Sequence, residues 1–177
     1  FRKHRLPFWD HAEPLLYGFV FAWIFGRLGC TVAFDHPGLA TDFALGMPFP
    51  ERIVVGGSAE IAGTVRHNLG FYECLYAMVM FAVLWSQRNR PLFSGWIIST
   101  TLLMYCPIRF GLDFLRAADA VYFGLTAGQY AAIGLFVLGI WVRKVRKDVG
   151  HMLVPDGKEH VFPDGRKALS WRKPVKN

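Results

Sequence analysis

Apolar and polar positions along this chain are grouped in long blocks rather than in short repeating periods. Four of the apolar blocks are long enough to cross the hydrocarbon layer of a membrane, which takes about 20 helical residues. They cover about 14–34, 69–87, 91–116 and 120–142. The pattern therefore predicts an all-α integral membrane protein with four transmembrane helices.

The remaining segments differ from these blocks in composition. Residues 35–68 contain several Pro and Gly and are neither strongly apolar nor basic. This predicts an outward-facing loop layer between the first two spans, with a short strand at Ile53–Val55. Residues 148–177 are polar and basic and contain two Pro-Asp-Gly turns, which indicates a small hairpin or a loosely ordered tail. We therefore divide the chain into a transmembrane bundle at 1–147 and a basic cytoplasmic tail at 148–177.

The distribution of positive charge predicts the orientation of the bundle. Half of the 20 Lys and Arg residues lie in 143–176, and others flank the apolar blocks at 2–5 and 88–90. Because Lys and Arg concentrate in cytoplasmic loops, both chain ends and the 88–90 turn are predicted to be cytoplasmic. The net charge of +7 would also suit nucleic acid, but no recognition motif accompanies it. We therefore predict no nucleic-acid partner.

Five ionisable residues near the apolar blocks all lie toward the predicted outer side: Arg27, Glu73, Arg109, Asp113 and Arg116. The last three fall at i, i+4 and i+7, so they share one helical face. Ionisable groups at membrane depth are costly and usually mark a functional site. Two guanidiniums flanking one carboxylate leave a positive site with forked donors that fit a phosphate, such as that of an anionic lipid headgroup. The alternative is structural: Asp113 neutralises its two arginines, or Arg27 pairs with Glu73 or Asp113 only to join helices.

Further candidate residues lie in the predicted outer layer and beside it. Asp35 and His36 follow the first span, and either could be a general base or a turn-former. His67 is the best visible proton acceptor, because imidazole changes charge near neutral pH, but it could equally be a hydrogen-bonded structural residue. Tyr72 lies at the predicted membrane edge, where aromatic rings also serve as anchors. Thr126 lies at the start of the fourth span. We interpret it as a helix cap, with a ligand contact as the alternative.

The cysteines predict neither a disulfide framework nor a metal site. Cys30, Cys74 and Cys106 are odd in number, lie in apolar sequence and lack the spacing of metal ligands. We expect all three to be buried free thiols that behave as small hydrophobic groups.

The candidate residues occur in four ordered blocks. These are Gly26-Arg27-Leu28-Gly29-Cys30 continuing from Asp35 to Gly38, Arg66-His67 through Tyr72-Glu73, Arg109-Phe110 with Asp113 to Arg116 and Asp119, and Leu125-Thr126 with Gln129. In this order they resemble the motifs of the prolipoprotein diacylglyceryl transferase family, over about Gly26 to Val142.

Two departures from the family pattern stand out. Asn68, Leu69 and Gly70 replace the Pro-x-Gln of the family's histidine stretch, and Asp113 stands where the family usually has Glu. The family's first spans, with a His-Gly-Gly stretch important for activity, would precede Phe1. The resemblance therefore predicts that the chain is the carboxy-terminal portion of a longer enzyme.

The resemblance implies a reaction: transfer of a diacylglyceryl group from phosphatidylglycerol to the lipobox cysteine thiol of a preprolipoprotein. It implies a multi-pass protein of the bacterial inner membrane, with its active site toward the periplasm and its carboxy terminus in the cytoplasm. Arg27 and Arg109 would act on the phosphate, and Asp113 and Glu73 would orient them. Arg116 would attract the lipid headgroup.

The remaining assignments follow from the same resemblance. His67 is the candidate base, and no metal or organic cofactor is called for. Three further residues are predicted to contact substrate: Tyr72, Asp35 and Gln129. The alternative functions are a non-catalytic lipid-binding membrane scaffold, a transporter fragment and a pseudoenzyme.

Overall fold

Four helices make up most of the computed structural model, which describes residues 8–50, 63–88, 92–117, 120–149, 152–154, 160–161 and 167–170. The helices are α1 (Phe8–Ala33), α2 (Leu69–Ser86), α3 (Trp96–Asp113) and α4 (Ala127–Val149). α1 packs along α2, and α3 packs along α4. The two pairs meet through contacts of α3 with both α1 and α2.

Two of the helices are long and apolar enough to cross a membrane, α1 over His11–Ala33 and α2 over Leu69–Ser86. Among the described residues, α3 and α4 do not meet the same criterion of length and hydropathy. α3 contains the polar run Ser99–Thr101, and α4 ends in a strongly basic segment. The structure therefore shows a mostly helical protein with two candidate spans, and the other two spans stay a prediction.

The bundle has an apolar interior and an apolar exterior. Its interior is built around Val20, Met80 and Leu84, against which partly buried side chains such as Tyr105 pack. Large apolar side chains also point outward from the helices: Phe19, Phe25, Leu28, Val32, Val79, Trp85, Val137 and Trp141. Exposed apolar surface on this scale is expected where the surrounding solvent is lipid rather than water.

An antiparallel three-stranded sheet covers the end of the bundle at which α1 ends and α2 begins. Its strands are β1 (Pro37–Ala40), β2 (Met47–Pro48) and β3 (Val65–Asn68), in the order β1-β3-β2. The sheet is fixed to the end of α3, because Leu39 N–H donates to the Leu115 carbonyl at 2.8 Å. A Cβ at Gly38 would lie 2.7 Å from His67 Cβ, so this approach requires glycine. The predicted loop layer is thus partly a sheet, and the strand predicted at Ile53–Val55 lies outside the described residues.

The first span was predicted to begin at about residue 14, whereas the helix that contains it begins earlier. α1 begins at Phe8, and Pro14 lies inside it. Just before Pro14, the buried carboxylate of Glu13 accepts the Ile97 N–H at 2.8 Å, at the start of α3. α2 ends at Ser86, one residue before the predicted end.

The third span was predicted over 91–116, and the helix is shorter at both ends. Leu92–Phe93 form a short strand, β4. Gly95 then adopts φ +110°, a left-handed conformation that separates the strand from α3. At the other end Arg116 N–H bonds to the Asp113 carbonyl at 3.3 Å, a tight turn that ends the α-helical pattern.

The fourth span was predicted from residue 120, but a hairpin precedes the helix. Its strands are β5 (Val121–Tyr122) and β6 (Leu125–Thr126). Phe123 and Gly124 between them have φ of 50° and 89°, as a type I′ turn requires. The hairpin residues are uncharged, so hydropathy alone did not separate them from the helix.

The tail contributes strands rather than a simple hairpin. β7 (Met152–Val154), β8 (His160–Val161) and β9 (Lys167–Ser170) join β4 in the order β4-β7-β9-β8, with β7 and β9 parallel. The Pro-Asp-Gly turns lie outside the described residues, and the division of the chain at residue 147 stays a prediction.

The close approach of α1 and α2 can be tested at Gly70. A Cβ there would lie 3.0 Å from two backbone atoms of α1, Cys30 C and Thr31 N. Because backbone atoms cannot move aside cheaply, we expect Gly70→Leu to lower the free energy of unfolding by about 1–3 kcal/mol. Thermal unfolding in detergent, followed by circular dichroism, measures this. Gly134→Leu is the control, since no described atom lies within 4 Å of a Cβ there; equal effects of the two substitutions would contradict the packing.

Candidate functional site

One end of the bundle gathers five ionisable side chains from three helices and the turn that follows the third. Arg27 comes from α1, Glu73 from the first turns of α2, Arg109 and Asp113 from the end of α3, and Arg116 from the turn that follows. We call this group the arginine centre. Three guanidiniums and two carboxylates give it a formal charge of +1.

Glu73 joins the two arginines that the sequence places in different helices. Its Oε2 lies 2.8 Å from Arg27 Nη2, and its Oε1 lies 3.2 Å from Arg109 Nη1. The side chain of Glu73 is only 3% exposed. One buried carboxylate therefore fixes Arg27 and Arg109 beside each other, as predicted for residues that share a site.

Asp113 makes the second set of ionic contacts. Its Oδ1 lies 3.0 Å from Arg109 Nη2 and 3.7 Å from Arg116 Nε, and its side chain is fully buried. Its Oδ2 accepts a hydrogen bond from Thr126 Oγ1 at 2.6 Å. A Cβ at Gly128 would lie only 2.5 Å from that Oδ2, so α4 approaches the carboxylate closely through a residue without a side chain.

Thr126 and Gln129 form a reciprocal cap at the start of α4. Thr126 Oγ1 accepts the Gln129 N–H at 3.1 Å, and Gln129 Oε1 accepts the Thr126 N–H at 2.9 Å. The cap predicted for Thr126 is confirmed, and its hydroxyl also holds Asp113. Gln129 Nε2 donates to the Phe110 carbonyl at 3.2 Å. Both ends of this buried amide thus bond within the protein, and a substrate contact by Gln129 stays a prediction.

The surroundings of Arg27 leave one strong donor without a partner. Its guanidinium carbon lies 4.5 Å from the ring centroid of Trp23, and Tyr105 lies beside the guanidinium. Among the described residues, its buried Nε has no hydrogen-bond partner, an arrangement that costs about 1–3 kcal/mol. No described atom lies within 4 Å of a Cβ built at Gly26 or Gly29. The Arg27 Nε is thus a donor for which the described residues supply no acceptor.

Sequence reasoning missed Trp23 and Tyr105. Trp23 lies four residues before Arg27, and Tyr105 lies four residues before Arg109. Side chains at i and i+4 share a helical face, so this spacing was the signal that could have found them.

His67, in the central strand of the three-stranded sheet, and Tyr72, in the first turn of α2, form a pair. His67 Nδ1 lies 2.7 Å from Tyr72 Oη, and the Tyr72 hydroxyl in turn donates to the Leu45 carbonyl at 3.5 Å. The shorter of these two contacts of the Tyr72 hydroxyl is the one to His67, so Tyr72 holds the imidazole ring in place.

Neighbours of His67 have structural contacts. Arg66 donates to the Gly38 carbonyl at 3.2 Å. Asn68, one of the residues that depart from the family pattern, caps α2 by accepting the Phe71 N–H at 3.2 Å. Its amide also donates to the Thr31 carbonyl at 3.0 Å. The altered histidine stretch is thus used to hold α2 against α1.

Asp35 and His36 lie at the end of α1, where Asp35 Oδ1 contacts His36 Nδ1. Asp35 is the more exposed of the two. Cys74 and Cys106 are buried free thiols, as expected, whereas Cys30 is partly exposed, and for this residue the prediction was wrong.

The fold and the site together describe a mostly helical protein with two candidate membrane spans and a net-positive arginine centre at one end of its helices. The chain belongs to the prolipoprotein diacylglyceryl transferase family, whose model matches residues 1–144.

Relatives with known names agree with this membership. The chain is 32% identical over 164 residues to the phosphatidylglycerol--prolipoprotein diacylglyceryl transferase of Chromohalobacter salexigens, covering 85% of this chain and 57% of the relative. The enzyme of the same name from Nitratidesulfovibrio vulgaris is 32% identical, and the match covers 84% of this chain and 56% of the relative. The one from Chlorobaculum tepidum is 27% identical, and the match covers 80% of this chain and 48% of the relative. The chain thus spans about half the length of the curated relatives it matches. No solved structure matches it.

The bridging role of Glu73 predicts a large loss of stability when its carboxylate is removed. Glu73→Ala leaves two guanidiniums close together without their shared partner, so we expect the free energy of unfolding to fall by about 3 kcal/mol. Thermal or chemical unfolding in detergent measures the change. Asp42→Ala removes an exposed carboxylate and should have little effect; equal stability of the two variants would contradict the bridge.

The close approach at Gly128 predicts a second effect. Gly128→Ala places a methyl group in the position that Asp113 Oδ2 needs, so we expect a loss of about 1–3 kcal/mol of unfolding free energy. The matched control Gly134→Ala lies in the same helix with open space around it. If unfolding shows Gly128→Ala to be at least as stable as this control, α4 does not approach Asp113 as described.

Proposed function

We propose that the natural polypeptide carrying this chain transfers a diacylglyceryl group from phosphatidylglycerol to the lipobox cysteine of preprolipoproteins. The observation that carries the proposal is the arginine centre, in which Glu73 holds Arg27 and Arg109 beside each other in a net-positive, buried site. The names of the relatives supply the reaction. Because the chain spans only about half of their length, the substrates are assigned here as a proposal.

The arginine centre supports the departure of the phosphate group. In the reaction a sulfur–carbon bond forms to the glyceryl group, and the bond from that carbon to a phosphate oxygen breaks. Negative charge collects on the departing glycerol phosphate. Preorganised guanidiniums in a poorly hydrated site stabilise such charge without having to reorient. Arg27, with its unpartnered Nε, and Arg109 are the proposed phosphate contacts, and Glu73 and Asp113 orient them.

Arg116 suits an attracting role at the edge of the centre. Its side chain is 23% exposed, more than that of Arg27 or Arg109. Its contact to Asp113 is also the longest of the ionic contacts in the centre, at 3.7 Å. A partly exposed cation of this kind draws an anionic headgroup toward the deeper arginines.

The incoming thiol must lose its proton before it can act as a nucleophile. His67 is the proposed base, because imidazole is the commonest general base in proteins and Tyr72 Oη holds its ring in place, 2.7 Å from Nδ1. Tyr72 thereby orients the imidazole, which is how a third group commonly assists a base. Tyr72, Asp35 and Gln129 are the further proposed substrate contacts, and the exposed carboxylate of Asp35 is the one most accessible to a peptide.

The proposed setting is the bacterial inner membrane, with α3 and α4 completing a bundle of four spans. The arginine centre and the three-stranded sheet lie at one end of the helices, and Arg88, Arg143 and Arg146 lie at the other. Basic residues favour the cytoplasmic side. The proposal therefore places the reaction toward the periplasm and the tail in the cytoplasm.

Substitution of Arg109 tests the reaction and separates an enzyme from a lipid-binding scaffold or pseudoenzyme. We expect Arg109→Ala to reduce transfer by about 100-fold or more, because it removes both contacts to buried carboxylates and a phosphate donor. Arg109→Lys should lose about tenfold or more, since one ammonium cannot replace a planar fork. The assay supplies phosphatidylglycerol and a lipobox peptide and measures released glycerol phosphate.

Arg88→Ala is the matched control, because Arg88 packs over Trp85 at the opposite end of α2 and lies outside the arginine centre. It should transfer at the unsubstituted rate. Normal lipid transfer by Arg109→Ala would overturn the phosphate role, and binding of phosphatidylglycerol without any release of glycerol phosphate by the unsubstituted protein would favour the scaffold.

A further inference from the structure

The hairpin that precedes α4 carries three consecutive apolar side chains on its outside. Val121 is 62% exposed, Tyr122 is 59% exposed, and Phe123 at the tip is exposed over its whole surface. The hairpin residues 121–126 are all uncharged. Proteins avoid an exposed apolar run of this kind unless the run contacts a partner. The hairpin therefore presents an apolar surface whose partner lies outside the described residues.

The backbone at Phe123 shows that the turn itself does not require this aromatic ring. Phe123 has φ of 50°, a left-handed conformation that is uncommon for bulky side chains. Type I′ turns favour Asn, Asp or Gly at the first central position, because these residues adopt positive φ readily. An unfavourable residue at the tip of a fully exposed turn points to a role in binding rather than in folding.

A hydrogen bond shows which side of the bundle the hairpin lies on. The Tyr130 hydroxyl donates to the Tyr122 carbonyl at 3.0 Å. Tyr130 begins an exposed stripe on α4 that continues through Ile133, Val137 and Trp141. Side chains spaced by three and four residues share one helical face, and this face contacts lipid if α4 is a span. The hairpin thus continues the lipid-facing surface of α4.

The length of α4 indicates how deep the hairpin lies. Its uncharged part, 127–142, is followed by Arg143 and is about 24 Å long at about 1.5 Å per residue. The hydrocarbon layer is about 30 Å thick, so its outer edge reaches the level of the hairpin. Val121 pairs with Thr126 and Tyr122 with Leu125. This pairing satisfies backbone groups that an irregular loop would leave exposed to lipid.

We propose that the β5–β6 hairpin inserts into the outer leaflet of the membrane, with the Phe123 ring among the phospholipid acyl chains. The inference rests on the proposed setting, in which α4 is a span, and does not depend on the proposed reaction. A peptide suits this surface less well, because the hairpin continues the face of α4 that contacts lipid.

Insertion of the hairpin also sets the depth of the arginine centre. Thr126 in β6 donates to Asp113 Oδ2 at 2.6 Å. Phe123 is three residues from Thr126, a distance of at most about 11 Å along an extended chain. A tip held among the acyl chains therefore keeps Asp113, and the arginines bonded to it, near the depth of the phospholipid phosphates.

Spin labels at three positions test the depth of the tip. Single cysteines replace Phe123, Val137 and the exposed Asp42 in protein that carries Cys30→Ala, because Cys74 and Cys106 are buried. The full-length protein is placed in vesicles of phosphatidylethanolamine and phosphatidylglycerol. Collisions of each label with oxygen, which concentrates in lipid, are compared with collisions with a water-soluble nickel complex. We expect the ratio of oxygen to nickel collisions at 123 and 137 to be several-fold higher than at 42.

The other outcomes overturn the inference in distinguishable ways. Nickel preference at 123 with oxygen preference at 137 removes the inserted hairpin and leaves α4 as a span. Nickel preference at both positions removes the span as well. A label at 123 that is sheltered from both reagents shows that protein covers the tip. Nickel access at 123 that falls only when a lipobox peptide is added shows a peptide-binding surface instead. Glycerol phosphate release by the unsubstituted protein in the same vesicles tests the proposed reaction separately.

Substitution at the tip tests whether the Phe123 ring is the anchor. Phe123→Asn suits the left-handed turn, so thermal unfolding in detergent should show no loss of stability. A label at Val121→Cys should nevertheless lose its oxygen preference in Phe123→Asn and keep it in Phe123→Leu, which retains an apolar tip. The label at Val137→Cys is the control and should be unchanged in both. If the label at 121 keeps its oxygen preference in Phe123→Asn, the ring does not anchor the hairpin.

Discussion

The structure of this protein depends on one buried carboxylate shared between two helices that would otherwise repel each other. Arg27 and Arg109 come from α1 and α3, and Glu73 of α2 neutralises both within hydrogen-bonding distance. A buried pair that loses one partner is strongly destabilised, so the three helices can pack at this end only in the register that keeps the bridge. The same bridge keeps two strong phosphate donors next to each other. Packing and the proposed chemistry therefore rest on the same contact.

The start of α4 completes this arrangement through small residues. Gly128 lets the helix approach Asp113, and the Thr126 hydroxyl both caps α4 and donates to the carboxylate. Asp is one methylene shorter than the Glu usual in the family, and the close approach of α4 brings a donor within its reach. Both terminal nitrogens of the Arg109 guanidinium are then paired, Nη1 with Glu73 and Nη2 with Asp113.

The sequence predicted the helical character of the chain and the convergence of its ionisable residues at one end of the helices. This was possible because charged side chains within apolar segments usually face a bundle interior or a polar cavity. It failed at helix ends, where single residues decide: the left-handed Gly95, and the Phe123-Gly124 turn that separates a hairpin from α4. It also missed Trp23 and Tyr105, whose apolar character hid their contacts with the arginine centre.

The pairing of β4 with β7 has a consequence for the order of synthesis. β4 precedes α3, whereas its partner strand follows α4. A growing chain therefore exposes the unpaired edge of β4 until both intervening helices have been made. Closure of this sheet marks the moment at which the last two helices are complete, and a chain that stalls between them carries an open strand edge that other chains can join.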